Sequence, residues 1–200
     1  MKVKLLLMPA IAVGILMSAA GPARAQSDLP RFEVGAQYSL LNFDTFASFS
    51  KPHRRESGGG GRFTINFNKY VAAEAQIDYF PNEDVERIGP FNEPLWGSKT
   101  LIVYGFKSGI RRNRFGVFAK ARPGFVHFSE VPGFLCIVGG GSCRQPAHNN
   151  FAFDVGGVFE YYPSRRIVVR VDAGDTIIRH RRFFGTSGEF QSSIGVGLRF

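Results

Sequence analysis

The chain has 200 residues, of which 44% are hydrophobic and 20% charged, with a formal net charge of +9, and this length suits one ordinary domain. Two cysteines are too few for a disulfide-stapled scaffold or a structural zinc site, and a mean hydropathy of −0.06 excludes a membrane protein of several helices. The 21 Phe and 24 Gly residues favour strands and turns over helices.

The first 25 residues predict a secretory signal peptide. Lys2 and Lys4 precede an uncharged apolar run, and Ala23-Arg24-Ala25 offers small residues at both positions that a signal peptidase recognises. We predict cleavage before Gln26, which gives a signal peptide over 1–25 and one domain over 26–200; an uncleaved membrane anchor is the alternative. An exported protein does not normally meet nucleic acid, so its basic balance points to anionic surfaces instead.

After the signal, apolar residues alternate with polar or small ones, which is the period of a β-strand. The alternation recurs eight times, although Leu101 and Val103 interrupt it in the fourth segment. The predicted strands lie near residues 32–40, 62–67, 71–79, 101–110, 115–122, 151–161, 166–173 and 189–200.

The connections between these strands alternate strictly between long and short. Three are tight, at residues 68–69, 111–114 and 163–165, and four are long and rich in Gly, Pro and charge, near 43–60, 81–98, 129–149 and 175–187. This sorting is typical of a transmembrane barrel with short turns at one end and longer external loops at the other. A soluble exported β-domain is the alternative, but Greek-key crossings give no reason for such sorting.

The charged residues of the strands share the face opposite the apolar one. In a transmembrane barrel that face lines the lumen, while lipid receives the apolar face. An eight-stranded lumen is only wide enough to be filled by side chains, and acids and bases are nearly equal in number there, so mutual pairing offsets their desolvation. The predicted lumen charge network comprises Glu74, Asp78, Lys107, Lys120, Arg122, Asp154, Glu160, Arg170 and Asp172.

Four segments make the chain resemble the small eight-stranded outer-membrane β-barrel family, the OmpA/OmpX-like group. They are residues 72–81, 154–163, 169–172 and 194–200, and the resemblance extends over about residues 30–200. It implies an all-β, eight-stranded antiparallel up-and-down barrel in the outer membrane of a Gram-negative envelope. The terminal strand is similar to the signal recognised by the outer-membrane assembly machinery, with Phe190, Ile194, Val196, Leu198 and Phe200 as its apolar positions.

Two features of the long loops suggest local roles. Arg179, Arg181 and Arg182 form a basic cluster, for which a solvated loop is one interpretation and contact with lipopolysaccharide phosphates the other. Six residues with three glycines separate Cys136 from Cys143, so a loop disulfide is geometrically easy in an oxidising compartment; two free thiols are the alternative.

One arrangement suggests an enzyme. His127 and Ser129 share one strand face near the external rim, where they could act as base and nucleophile on an acyl lipid. The arrangement is similar to the His-x-Ser of barrel lipid A deacylases but departs from it at Glu130, which stands where that family has Asn. Interfacial polar residues at a strand end are the simpler interpretation.

The remaining chemical motifs predict neither a cofactor nor a metal. The glycine runs 58–61 and 139–141 lack the Lys-Ser/Thr of a phosphate loop and are interpreted as flexible loops. The four histidines are scattered without ligand spacing. Asp172 and Asp175 are interpreted as lumen and loop charges rather than as a catalytic pair.

Together these patterns predict a monomeric, non-enzymatic outer-membrane barrel with a structural role in the envelope and surface interactions through four external loops. Its expected partners are outer-membrane lipids, lipopolysaccharide and the assembly machinery, and not nucleic acid. A narrow porin-like channel is the first alternative, and a lipid-acting enzyme is the second.

Overall fold

Eight antiparallel strands close into one barrel in the computed structural model, which describes residues 29–44, 53–81, 85–88, 91–94, 97–132, 144–179 and 186–200. The barrel strands are β1 (Phe32–Asp44), β2 (His53–Asn66), β3 (Val71–Phe80), β6 (Lys99–Arg112), β7 (Phe115–Phe128), β10 (His148–Tyr161), β11 (Ile167–Arg179) and β12 (Thr186–Arg199). Their order around the barrel is β1-β12-β11-β10-β7-β6-β3-β2, so each barrel strand pairs with the barrel strands next to it in the chain and β1 pairs with β12. The predicted eight-stranded up-and-down barrel is confirmed.

Two small hairpins interrupt the long connections. Strands β4 (Val85–Ile88) and β5 (Phe91–Pro94) pair between β3 and β6, and β8 (Val131–Pro132) pairs with β9 (Arg144–Gln145) between β7 and β10. Among the described residues, no helix has the length and apolar character needed to span a bilayer.

The alternating sequence gives the barrel an apolar outside and a polar inside. Large apolar side chains are exposed on every barrel strand, Tyr104 at 58% and Leu198 at 62% among them. The intervening residues point inward and are buried, as the alternating burial of β3 and β12 shows. A closed ladder also pairs the strand edges, which lipid requires because it offers no hydrogen bonds.

The two ends of the barrel differ. At one, the turn end, the strands are joined over residues 67–70, 113–114 and 162–166, and Phe32 and Phe200 exchange two backbone hydrogen bonds of 2.9 Å. At the other, the loop end, the connections contain the small hairpins and the segments outside the described residues. The predicted alternation of short and long connections is therefore present.

Two of the predicted loops are too long. Residues 53–60 and 175–179 belong to β2 and β11, so the predicted loops over 43–60 and 175–187 are partly strand. In particular Gly58–Gly61 is not a flexible loop: Gly59 pairs with Tyr38 on one side and Tyr79 on the other. The hydrogen bonds of a β-sheet join backbone groups, so a run of glycines takes part in the sheet when the strands on both sides are in register with it. The second glycine run, 139–141, lies outside the described residues.

Candidate functional site: a filled lumen

The lumen contains buried charges of both signs. All nine members of the predicted lumen charge network are buried inside the barrel, each no more than 4% exposed. Further charged side chains join them: Glu33, Arg62, Arg111 and Arg199 toward the turn end, with Glu56, Lys99 and Glu189 toward the loop end. Acids and bases lie side by side, so the lumen is filled by ion pairs.

We call the charged group in the middle and turn-end half of the lumen the ionic layer. It comprises Glu33, Arg62, Glu74, Lys107, Arg111, Lys120, Arg122, Asp154, Glu160, Arg170, Asp172 and Arg199. At its centre the Glu74 carboxylate lies 3.2 Å from Lys107 Nζ and 3.3 Å from Arg122 Nη1, and it also pairs with Arg170. One fully buried carboxylate thus pairs with three cations from three other strands.

Arg170 spans the lumen. Its guanidinium donates to both oxygens of Asp172 on its own strand, at 2.6 and 2.7 Å, and to Glu74 Oε2 at 2.9 Å. Three strands separate β11 from β3 in either direction around the barrel, so this contact joins opposite walls. The bidentate fork of arginine suits such a bridge because it fixes orientation as well as distance.

Further side-chain contacts connect the other strands of the ionic layer. Arg122 donates to Asp154 Oδ2 at 2.7 Å, and Lys120 Nζ lies 3.1 Å from Asp154 and 3.4 Å from Asp172. Toward the turn end, Arg111 donates to the Tyr162 hydroxyl at 2.6 Å. These contacts connect β6, β7, β10 and β11 through side chains in addition to the backbone ladder.

Asp78 is satisfied in a different way. Its carboxylate is fully buried and accepts hydrogen bonds from Gln37 at 2.7 Å, Ser39 at 3.1 Å and Gln191 at 3.2 Å, and another from Gln76. All four donors are neutral, and among the described residues no cation pairs with it. The barrel interior therefore satisfies Asp78 through neutral hydrogen-bond donors and not through an ion pair.

Above Asp78, toward the loop end, the lumen becomes apolar. Leu41, Phe80, Leu101, Val103, Val126, Ala152 and Ile178 form one buried cluster, each no more than 1% exposed. We call this cluster the apolar layer. Its residues come from six of the eight barrel strands, so it extends across the lumen.

Sequence reasoning missed the apolar layer because it assigned every apolar side chain to lipid. The available signal was the interruption of the alternation at Leu101 and Val103: their neighbours Ile102 and Tyr104 also are apolar, so both faces of that segment are hydrophobic. The buried pair Glu56–Lys99 was missed as well, since Glu56 fell in a predicted loop and Lys99 lay between a predicted loop and the strand predicted from residue 101.

Glycines on β2 make room for Asp78 and for the apolar layer. A Cβ added to Gly60 would lie 2.1 Å from the backbone oxygen of Ile77 and 2.2 Å from Asp78 Oδ1. One added to Gly58 would lie 2.6 Å from the ring of Phe80. The glycine run therefore lets β3 approach closely and lets its inward side chains occupy the space beside β2.

In the described segments, the two members of the proposed enzymatic pair are not hydrogen-bonded to each other. His127 faces outward near the loop end, and its Nδ1 lies 2.7 Å from Asn149 Oδ1 on β10. The backbone N–H of Ser129 donates to Ser98 at 3.0 Å, and across the described part of the chain no hydrogen bond joins His127 to Ser129. A serine nucleophile needs its base within hydrogen-bond reach, and this geometry does not provide it.

The other predicted surface residues are only partly described. Arg179 is exposed at the end of β11, whereas Arg181, Arg182, Cys136 and Cys143 lie outside the described residues. Asp175, interpreted as a lumen or loop charge, instead lies on β11 and is exposed on the outward face, because β11 continues past it in the same alternation. The five apolar positions of the terminal strand all are exposed outward, from 47% at Phe190 to 65% at Phe200.

A metal site finds no support in the described segments. None of their His, Cys, Asp and Glu side chains form a group of three or more that would hold a metal ion.

Solved structures similar to this one have the same fold. Neisserial surface protein A matches with a TM-score of 0.56 at 13% identity, over 84% of this chain and 97% of that one. Ail, the attachment invasion locus protein of Yersinia pestis, solved in complex with the heparin analogue sucrose octasulfate, matches with a TM-score of 0.53 at 11% identity, over 86% and 99%. At such identities the likeness shows the fold.

A family model matches almost the entire chain. The model is described as outer membrane protein beta-barrel domain, and it matches residues 10–200, a range that includes every barrel strand. A search of curated proteins found no match to the chain. The chain therefore belongs to this family and is an outer-membrane β-barrel.

Proposed function

We propose that the chain is a non-conducting, non-enzymatic structural barrel of the outer membrane that presents its four external loops for surface interaction. The observation that carries this proposal is the filling of the lumen at two successive levels. The ionic layer is bridged from wall to wall by Arg170 and Glu74, and the apolar layer lies between it and the loop end. Side chains thus occupy the route that a solute would take.

The two layers oppose ion passage for different reasons. An ion entering the ionic layer must displace a charge from a buried ion pair, which is costly in a low-dielectric interior. An ion entering the apolar layer must give up hydration to aliphatic and aromatic side chains that cannot replace it. The narrow-channel alternative would require both obstacles to open.

Planar-bilayer recording tests this proposal. We expect no stable unit currents from the purified barrel. A variant with Phe80→Ala, Leu101→Ala and Arg170→Ala, which shortens side chains in both layers, serves as the positive control because its lumen admits water. Stable unit currents from the unaltered chain that change on Lys120→Gln or Arg122→Gln would overturn the proposal.

The non-enzymatic part of the proposal rests on the geometry of His127. Its Nδ1 lies against Asn149, and Ser129 makes no hydrogen bond to it within the described segments. We expect purified lipopolysaccharide to keep its acyl chains in the presence of the barrel. Release of acyl chains that disappears with Ser129→Ala and His127→Ala would refute a purely structural role.

For the surface interaction, we place lipopolysaccharide phosphates against the basic cluster of the last loop. Arg179 is exposed at the end of β11, and Arg181 and Arg182 follow it in the chain. Guanidinium groups bind phosphate through paired hydrogen bonds. We expect the barrel to bind lipopolysaccharide vesicles in a salt-dependent manner, and Arg179→Gln with Arg181→Gln and Arg182→Gln to weaken that binding.

A control with equal charge loss separates this site from a general effect of net charge. Arg114→Gln, Arg165→Gln and Arg166→Gln remove three exposed cations from the turn end. Equal weakening by both triple variants would contradict a loop-end site. If the barrel bound the sulfated polysaccharide heparin but not lipopolysaccharide, the choice of partner would be wrong.

For assembly, the terminal strand is the proposed recognition element. Phe200 is exposed, and its backbone closes the barrel against Phe32. We expect Phe200→Ser to fold in detergent yet to insert slowly through the reconstituted outer-membrane assembly machinery. Normal insertion by the machinery would contradict this role.

A further inference from the structure

The turn end of the barrel carries exposed cations around its whole circumference. Arg31 precedes β1, Lys69 lies between β2 and β3, Arg112 and Arg114 flank the turn between β6 and β7, and two more follow β10. Together they are Arg31, Lys69, Arg112, Arg114, Arg165 and Arg166, and each is exposed. We call these six residues the turn-end cations.

No acidic side chain of the described segments balances the turn-end cations. The acids nearest that end, Glu33 and Glu160, are buried and paired with Arg199, Arg111 and Lys107 inside the lumen. None of the turn-end cations forms an ion pair with a described residue. Their charge is therefore available to a partner outside the barrel.

The turn-end cations lie beside exposed aromatic side chains. Aromatic side chains exposed at the same end mark the membrane interface, as aromatic girdles do in barrels of this kind; they include Phe67 at 55%, Phe115 at 52% and Phe200 at 65%. Lys69 Nζ lies 4.9 Å from the Tyr70 ring centre, and the Arg31 guanidinium lies 5.8 Å from that of Phe32. The cations thus begin where the apolar band ends.

We propose that the turn-end cations form a binding surface for anionic phospholipid headgroups of the periplasmic leaflet of the outer membrane. In this barrel class the short turns face the periplasm, so these residues meet the phospholipid leaflet. A polymer would touch one sector, whereas lipid surrounds the barrel, and the cations are present at all the turns and at the closing strand. Five of the six are arginine, whose fork matches a phosphate.

This surface goes beyond the proposed function, which concerns the lumen and the loops. It would fix the vertical position of the barrel by attracting charge at one interface, while the aromatic side chains hold the same level by burial.

The test measures which lipids surround the folded barrel. The barrel is reconstituted in phosphatidylcholine vesicles with a trace of spin-labelled phosphatidylglycerol or spin-labelled phosphatidylcholine, and electron paramagnetic resonance gives the motionally restricted fraction of each label. One cation near a headgroup predicts a preference of about fivefold for the anionic label at low salt. We expect this preference to fall as salt rises, because exposed charges are screened.

Matched variants locate the effect. Arg165→Gln with Arg166→Gln and Arg112→Gln with Arg114→Gln each remove two turn-end cations, while Arg55→Gln, matched to the single change Arg114→Gln, removes one exposed arginine from the loop end. We expect each turn-end pair to reduce the preference by roughly a third, and glutamine at all six turn-end positions to reduce it to about onefold. Arg55→Gln should reduce the preference less than Arg114→Gln does. Heat-modifiable gel migration verifies that every variant is folded.

Two results would overturn the proposal. One is a preference that survives the loss of all six turn-end cations or falls as much with Arg55→Gln as with Arg114→Gln. The other combines two observations: removal of the six turn-end cations leaves the lipid preference unchanged, but it abolishes co-sedimentation of the barrel with insoluble peptidoglycan. That result would assign this surface to the cell wall.

Discussion

The two layers both fill the barrel interior, the ionic layer with ion pairs and the apolar layer with hydrophobic side chains. The ionic layer holds its strands together through directional contacts, such as that of Arg170 with Glu74 across the lumen at 2.9 Å. The apolar layer occupies the lumen nearer the loop end with Leu41, Phe80, Leu101 and their neighbours, which pack without hydrogen bonds or ion pairs between their side chains. Directional pairs specify which strands face each other, whereas apolar packing excludes water without regard to partner.

Their order along the axis also matters. The apolar layer lies between the ionic layer and the loop end, so it keeps water from entering the ion pairs on that side. Charges interact more strongly when water is excluded. The apolar layer therefore strengthens the pairs beneath it, and damage to either layer is expected to affect the other.

The largest expected effect comes from breaking the centre of the ionic layer. Glu74→Gln leaves three buried cations, Arg170, Lys107 and Arg122, without their shared carboxylate. Removing one partner of a buried pair costs about 3–5 kcal/mol. Urea unfolding of the barrel in detergent, followed by gel migration, measures this loss. The same carboxylate-to-amide change at exposed Asp175 is the control and should cost little; equal costs would show that the network is not the reason.

Next in size is a cavity in the apolar layer. Leu101 is fully buried, so Leu101→Ala is expected to lower the free energy of unfolding by about 2–4 kcal/mol. Leu198→Ala removes the same atoms from a side chain that is 62% exposed on the lipid side, where no cavity is left. Comparing the two unfolding curves isolates the packing contribution. A loss at Leu198 as large as that at Leu101 would mean that the apolar layer is loosely packed.

A third prediction concerns the glycines that make room for Asp78 and for the apolar layer. Gly60→Ala brings a Cβ against the Ile77 backbone and Asp78, and overpacking of this kind costs about 1–3 kcal/mol. Its neighbour Gly59 has its nearest atom at 3.8 Å, so Gly59→Ala is expected to be neutral or slightly stabilising. If both substitutions were harmless, the run would be a loop after all and not part of β2.

The smallest effect is expected at Asp78. Since its four donors are neutral, Asp78→Asn leaves no buried cation behind, and the Ser39 hydroxyl, which donates to Asp78, can turn to accept from the new amide. We expect a loss of about 1 kcal/mol. A loss as large as that of Glu74→Gln would reveal a cation partner for Asp78 and extend the ionic layer toward the loop end.

The candidate site was partly accessible from the sequence. Strict alternation placed residues such as Glu74 and Arg170 on the inward face, because a strand turns successive side chains to opposite sides. It did not indicate that these two meet, since they lie 96 residues apart and only closure of the barrel brings their strands to opposite walls. Arg111 escaped notice for a simpler reason: it was assigned to a turn, whereas β6 continues through it.

By itself the sequence determined the class of the fold. The period-two pattern, the sorting of short and long connections and the inward parity of the charges were enough to predict eight strands, an apolar exterior and a charged lumen. These are local properties, fixed by the geometry of each strand. Only the tertiary structure decided the depth of each inward residue, because depth depends on the register between neighbouring strands. That register places Leu101, Phe80 and Val126 in one apolar layer and gathers three cations around Glu74.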